Sequence, residues 1–598
     1  MAGVSNYDDS ALFRPHPPVA LPQEAGQARA RALITGIAIA ILAVVATSSL
    51  LYREMYAEAA DDVTGLLPAS TRGYVRAPHP MESVEAALAL DRWKDPAQLT
   101  LDIQTQGLLA NDAAAHAFGL PLDLLYKLAT GVDEVQLALV PTSRGPALLA
   151  FLDIADPWTK RQLVAGFSAY LEPVDRQLGF DIQRLRRARE LPAGREDEEP
   201  IHVVDVPPRI VVCYGPEEAI EDVLQARVSG RSQPLQDRLK LDEHRAAGTE
   251  HRGLADLDPS ELYALVAPVL ADGDEGAVIR SLLVDGIASV TASARLEADD
   301  DLLDVRVRLA HAPAVTLIEP LLRGADHPLL DLVPEDADWA TSLSLADPQA
   351  GARGLRDLMT ALAGHVAFAS PEVRRILDAL VVAVTGAANG DVGRDGGGGL
   401  AGHGVLFHTP GTPEGRAGWA AVVQVRDPER AETTVRRLTR SLLGPEHAYG
   451  TVRLPTGRTH LVRAALSSDA TTIGEVVLAW RMRGGRLELA NDVGPLDTLA
   501  DPSTLRYGGG EIGRRIRRGL PEGTAALLVA HPRTVGAAGG VWGGWVSGLL
   551  DHDWRLTLAA TLQGSELLVR SNLGLWTIAA ALASATPREV DTLLLSDL

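Results

Sequence analysis

The chain has 598 residues, of which 46% are hydrophobic and 22% are charged, and this composition allows several globular domains with apolar cores. Its formal net charge of −22 excludes nucleic acid as a main partner, because a polyanion is repelled. The single cysteine, Cys213, excludes an intrachain disulfide, and the apolar stretch Ile210–Tyr214 around it predicts a strand with a buried thiol.

The N-terminal region combines a proline-containing segment with one apolar run. Residues 1–28 hold little periodic apolar sequence, which predicts a disordered cytoplasmic tail. The run from Leu33 to Leu51 carries no charge and lies between Arg31 and Arg53. Nineteen helical residues reach about 28 Å, close to the thickness of a bilayer core, so residues 32–52 are expected to form a transmembrane anchor.

Arginines before this run orient the expected anchor. Because positive residues stay on the cytoplasmic side, the N-terminus is expected in the cytoplasm and the large C-terminal part outside it. This predicts a single-pass protein of the bacterial inner membrane, a signal-anchor with a periplasmic ectodomain, that contacts the lipid bilayer through Leu33 to Leu51. Two alternatives stay open, a cleaved signal peptide with a site near Ala57–Ala59 and a buried soluble helix.

Landmarks in the rest of the chain recur at nearly one spacing, which indicates an internal repeat. Pro68 and Pro334 each lead into an apolar stretch and are 266 residues apart. Asp156-Pro157 and Asp427-Pro428, which are 271 residues apart, each precede a helical segment. The repeat predicts a first module over 66–310, a second module over 330–575 and a C-terminal helical tail over 576–598.

Alternating apolar residues predict antiparallel hairpins that close both modules. Val290–Leu309 and Leu556–Leu573 each show a period of two on either side of a short polar link. Helical stretches lie between such strands. The expected fold class is therefore α+β, with one N-terminal transmembrane helix followed by two related antiparallel-sheet-plus-helix modules.

Several residue groups have the composition of a possible site, but none has the spacing that a catalytic, cofactor or metal site needs. Gly396–Gly399 lack the lysine of a phosphate loop, and Asp299–Asp301 lack the alternating spacing of a calcium loop, so a polar hairpin tip is expected there. His365, His403 and His408 lack metal-ligand spacing. The basic group Arg514, Arg515, Arg517 and Arg518 indicates a solvated helix face, with an anionic partner as the alternative. No catalytic residue, cofactor site or metal site is predicted.

The opening of the first module resembles an uncharacterised family of single-pass bacterial envelope proteins, a domain of unknown function. The resemblance lies in Leu67–Thr71, which has the pattern Leu-Pro-x-x-Thr before a strand, in the apolar hairpin Val135–Ile154 and in the strand–Gly–helix unit Ile210–Gln225. The resemblance implies an envelope location and a duplicated α+β ectodomain. It does not identify any residue of this chain as catalytic.

Three classes of function are compatible with the sequence. The first is a non-catalytic envelope protein that binds a partner protein or an apolar ligand, or that has a structural role, and this class is favoured because no acid, base and nucleophile are paired. The second is a scaffold or sensor that uses the cytoplasmic tail. The third is a hydrolase whose site is assembled from distant residues.

Overall fold

The described residues belong to one compact unit that begins at Val63. The computed structural model describes residues 63 to 584 apart from 107–126, 129, 155, 186–200, 230–252, 259–285, 297–299, 311–318, 320–321, 325, 348–349, 351–399, 411–417, 444–447, 455–456, 466–472 and 535–546.

Strands dominate both halves of this unit. The first half contains β1 (Gly73–Pro78), α1 (Pro80–Leu88), β2 (Val132–Thr142), β3 (Gly145–Ile154), α2 (Pro157–Phe167), β4 (Leu171–Gln177), β5 (Phe180–Leu185), β6 (Ile201–Val206), β7 (Arg209–Tyr214), α3 (Glu218–Ser229), β8 (Gly253–Leu257), β9 (Ile287–Leu296) and β10 (Asp301–Leu309).

Among the described residues, the second half also has ten strands, but its helices are placed differently. It contains β11 (Trp339–Ser344), β12 (Leu400–Thr409), β13 (Gly418–Val425), α4 (Pro428–Leu443), β14 (Ala448–Leu454), β15 (Gly457–Ala465), β16 (Ile473–Arg483), β17 (Arg486–Ala490), α5 (Val493–Ala500), α6 (Glu511–Arg518), β18 (Ala526–Ala530), β19 (Leu556–Gln563), β20 (Glu566–Ser571) and α7 (Leu575–Ser584).

All of these strands join one antiparallel sheet, and the pairing order of the first half recurs in the second. The first half runs β4-β5-β6-β7-β3-β2-β1-β8-β9-β10. The second half runs β14-β15-β16-β17-β13-β12-β11-β18-β19-β20. The last strand of each half, β10 and β20, pair with each other and make the sheet continuous.

An ion pair between equivalent positions joins β10 and β20. Asp304 lies opposite Arg570 in the register, and the two residues are 266 apart in sequence, the spacing of the repeat. Arg570 donates from Nε to Asp304 Oδ1 at 2.5 Å and from Nη2 to Oδ2 at 2.7 Å. The two halves are thus related by a pseudo-twofold axis through this pair.

Each half has its own apolar core, because alternate strand residues point to the covered face. In the first half, Leu149, Phe151 and Ile182 are buried with residues of α3 such as Leu224. In the second half, Phe407 and other strand residues are buried with residues of α5 and α6.

The predicted hairpins and helix starts are confirmed. β9 pairs with β10 and β19 with β20, so Val290–Leu309 and Leu556–Leu573 are both hairpins. α2 begins after Asp156 and α4 after Asp427, whose carboxylates accept hydrogen bonds from the first backbone N–H groups of their helices. The boundaries of the two modules and of the tail stay predictions, since the halves share one compact unit.

The expected fold class is wrong, together with the transmembrane, signal-anchor and single-pass assignments. The described part of the chain is mostly antiparallel sheet, with 46% strand and 31% helix. Among the described residues, every helix is too short or too polar to cross a bilayer. The physical reason is that the apolar residues of this part alternate along strands, so no helix collects the roughly 20 consecutive apolar residues of a span. Leu33 to Leu51 and residues 1–28 lie outside the described residues.

Candidate functional site

A cleft of about 490 Å³ opens beside α3 in the first half. The lining is mixed, with five apolar residues and three polar residues of α3; it comprises Leu66, Pro68, Leu178, Asp222, Gln225, Ala226, Val228 and Ser229. A concave apolar surface with a few polar groups is the usual form of a small-molecule site.

The helix wall follows from the sequence of α3. Its apolar stripe, which includes Ile220, Val223 and Leu224, is buried in the core of the first half. The other side of the helix therefore carries Asp222 and Gln225 into the cleft.

The opposite rim is the turn between β4 and β5. Gln177 pairs with Phe180, which leaves Leu178 and Gly179 as the two turn residues. Both have positive φ, +50° for Leu178 and +92° for Gly179, as in a type I′ hairpin turn. Asn, Asp or Gly is preferred at the first of these positions, and a leucine there is strained.

This strained leucine stands exposed at the mouth of the cleft. The Leu178 side chain is 52% exposed and that of Val228 is 57% exposed. The Gln177 side chain donates from Nε2 to Glu221 Oε1 at 2.7 Å, which ties the turn to α3. In the second half Leu454 pairs with Gly457, and the two residues between them in the sequence, Pro455 and Thr456, lie outside the described residues.

One acidic residue, Asp222, lines the cleft. Partial burial raises the pKa of Asp222 above its usual value, and repulsion from Glu221 and Glu218 raises it further. A bound cation would offset this repulsion, whereas a bound carboxylate would add to it.

The structure separates the histidines that the sequence analysis weighed. His403 and His408 are five residues apart on β12, so their side chains leave opposite faces of the strand. Ser344 donates to Asp326 O at 2.6 Å, so His403 Nδ1, 2.8 Å from the Ser344 hydroxyl, is the donor in that contact. His408 Nδ1 lies 2.9 Å from Asp338. His365 lies outside the described residues.

A second Ser–His pair was not anticipated from sequence. His327 Nε2 lies 3.0 Å from Thr524 O, which can only accept, so Nε2 carries the proton of the neutral ring. The Ser342 hydroxyl lies 2.8 Å from Nδ1 and 3.3 Å from Gly404 O, and burial lowers the pKa of His327. Both serines are buried, so these pairs stabilise the sheet and offer no accessible nucleophile.

Within the aspartate run, Asp301 begins β10 at the β9–β10 hairpin, where it pairs with Leu296. Asp301 is fully buried and accepts a hydrogen bond from the Thr577 N–H of α7 at 2.6 Å, which makes it a cap for a helix of the other half. Burial raises the pKa of Asp301. Gly574 packs against it so closely that a Cβ there would lie 2.1 Å from Asp301 Oδ1. Asp299 lies outside the described residues.

Three other features of the sequence, the cysteine, the basic group and the glycine run, provide no site among the described residues. Cys213 is buried on β7, as predicted. Two arginines of the basic group form ion pairs, Arg515 with Asp91 at 2.8 Å and Arg517 with Asp331. Gly396–Gly399 lie outside the described residues.

The cleft itself was missed by the sequence analysis. The signal for its rim was present, since Leu178-Gly179 separates two short strands at a place where Asn-Gly is typical. Its other walls come from positions about 50 and 110 residues away in sequence, and no local pattern joins them.

Comparisons with known proteins leave the family open. No protein-family model matches the chain, and no curated protein matches it. Crystal form I of TP0453 is similar over 44% of this chain and 86% of that chain, with 13% identity and a TM-score of 0.25. Crystal form III gives 12% identity and a TM-score of 0.26. Likeness at this level carries no argument, and the resemblance at Leu67–Thr71 stays a prediction.

Proposed function

We propose that this protein is a non-catalytic binding protein whose α3 cleft takes an apolar ligand with an amine or other cationic end group. The observation that supports this most directly is Leu178, a strained leucine at the rim of an apolar cleft. Strained backbone persists where the surrounding structure holds it, and it concentrates at binding sites. An envelope location stays a prediction from the sequence.

The end group follows from charge. Glu218, Glu221 and Asp222 lie on one side of α3, and their mutual repulsion raises the pKa of Asp222 beyond the effect of its burial. An ammonium group relieves that repulsion, so an alkylamine is expected to bind more tightly than a carboxylate with the same chain.

The test compares dodecylamine with dodecanoate by calorimetric titration into the full-length protein. Dodecylamine should bind, and Leu178→Asn should weaken it about fivefold, the effect of losing roughly 1 kcal/mol of apolar contact. The same substitution should raise the free energy of unfolding by up to about 1 kcal/mol, since asparagine tolerates the left-handed conformation.

A matched control separates the cleft from general surface hydrophobicity. Leu505 is 73% exposed in the second half, and Leu505→Asn should leave dodecylamine binding unchanged. Equal binding of amine and carboxylate, or equal losses for Leu178→Asn and Leu505→Asn, would contradict the proposed site.

A further inference from the structure

β14 is an outer strand of the sheet. Within the described part of the chain it pairs with β15 alone, in an unbroken register from Ala448–Arg463 to Leu454–Gly457. Residues 449–453 are all exposed. An outer strand presents a row of backbone donors and acceptors that another strand can pair with.

The register identifies which backbone groups face outward. Two residues separate Leu454 from Gly457, so this pair is hydrogen-bonded across the hairpin. Hydrogen bonding alternates along an antiparallel strand, so Thr451 and Arg453 direct their N–H and C=O groups away from β15.

The equivalent outer strand of the first half, β4, is blocked. It contains Pro173, its register shifts between Pro173 and Asp175, and it carries charges at Glu172, Asp175 and Arg176. Proline, an irregular register and charge are the usual protections against strand addition. β14 has no proline and no register shift, and its one formal charge is Arg453.

The charge around β14 is opposite to that of the whole protein. The hairpin of residues 448–465 carries Arg453, Arg458 and Arg463 and no acidic residue, in a chain of net charge −22. The equivalent hairpin of residues 171–185 has three acidic and two basic residues. Two copies that met at β14 would bring like charges together, whereas an acidic strand would be attracted.

We propose that β14 binds an extended acidic segment of another protein by strand addition. Backbone hydrogen bonds from Thr451 and Arg453 supply the pairing, and the arginines select acidic side chains. This interaction is independent of the α3 cleft, which lies in the other half of the chain.

The experiment measures binding of a fluorescent, acetylated heptapeptide of alternating Val and Glu to the full-length protein. Thr451→Pro removes one outward N–H without touching the β14–β15 ladder, and it should weaken binding at least tenfold. Thr451→Val is the matched control, since both variants lose the contact of the Thr451 hydroxyl with His460 at 3.1 Å but valine keeps the N–H. Thr451→Val should bind like the original protein.

Charge is tested separately, so that the outcome does not depend on Thr451→Pro folding well. Arg453→Glu with Arg458→Glu should reduce binding of the acidic peptide and favour the analogue with Lys in place of Glu, and added salt should weaken the acidic complex. Equal binding of both peptides to the original protein would overturn the proposal. So would a concentration-dependent dimer that Thr451→Pro abolishes, because the occupant would then be a second copy.

Discussion

His531 directly follows β18, where its ring is buried and packs edge-on against His552 with the ring centres 4.4 Å apart. The ring accepts a hydrogen bond at Nδ1 from the Arg533 backbone N–H at 3.1 Å. Burial lowers the pKa of His531 to about 4, with a further lowering from Arg555 and Arg533. Between about pH 4 and pH 6.5, this ring is therefore neutral in the folded chain and charged in the unfolded chain.

The consequence is acid sensitivity with a defined window. The unfolded chain takes up a proton at this histidine near pH 6.5, and the folded chain only near pH 4, so the free energy of unfolding falls as the pH decreases through that interval. His531→Asn keeps an acceptor for Arg533 and cannot ionise. Its unfolding free energy, measured in urea at pH 7 and pH 5, should fall less than that of the original protein. If His531→Asn and the original protein lose the same unfolding free energy between pH 7 and pH 5, the assignment is contradicted. His552→Asn removes the exposed neighbouring ring and serves as the control. It should lose nearly as much unfolding free energy between these pH values as the original protein does.

At the scale of elements, α2 and α4 begin with the same device in the two halves. In the first half, the Asp156 carboxylate accepts from the backbone N–H of Trp158 at 2.9 Å and of Thr159 at 3.0 Å. The backbone N–H groups of the first helical turn have no acceptor within the helix, and these bonds supply one for Trp158 and Thr159. Pro157 has no backbone N–H and therefore needs no acceptor. Hydrogen bonds from Thr159 and Trp158 also lower the pKa of Asp156.

Asp156→Ala should therefore lower the free energy of unfolding by about 1 kcal/mol, the usual contribution of such a cap. Asp156→Ser retains an acceptor oxygen and should cost only a few tenths of that amount. Denaturant titration of both variants tests the expectation. If alanine and serine behave alike, the carboxylate does not stabilise the helix start.

At the scale of the whole molecule, the pair Asp304–Arg570 joins the halves at equivalent positions. If the two halves were identical, the same residue type would stand at both positions of this pair. A charged residue would then lie opposite a residue of the same charge, and the two would repel each other. Here the position has diverged to opposite charges, which favours pairing of the two different halves. Asp304 is buried and also lies 3.9 Å from Arg295.

The equivalence predicts the result of a charge exchange. Arg570→Met leaves Asp304 buried without its main partner and should lower the unfolding free energy by roughly 3–5 kcal/mol. The exchange Asp304→Arg with Arg570→Asp should restore most of this loss, because the two positions are related by the pseudo-twofold axis. Repulsion from Arg295 should make the recovery incomplete. No recovery at all would mean that the two environments have diverged too far to be equivalent.

Short-range features of this protein were determined by the sequence itself. The hairpins Val290–Leu309 and Leu556–Leu573 and the helix starts at Asp156 and Asp427 follow from alternation, turns and caps, which act over a few residues. Their spacing also indicated the repeat.

The tertiary structure alone decided the long-range features. Pairing of β10 with β20, the cap that Asp301 provides to α7 and the cleft between Leu178 and Asp222 join residues from about 40 to more than 260 positions apart. Such contacts depend on which buried faces and charges meet once the sheet has formed, and many pairings satisfy the same local pattern.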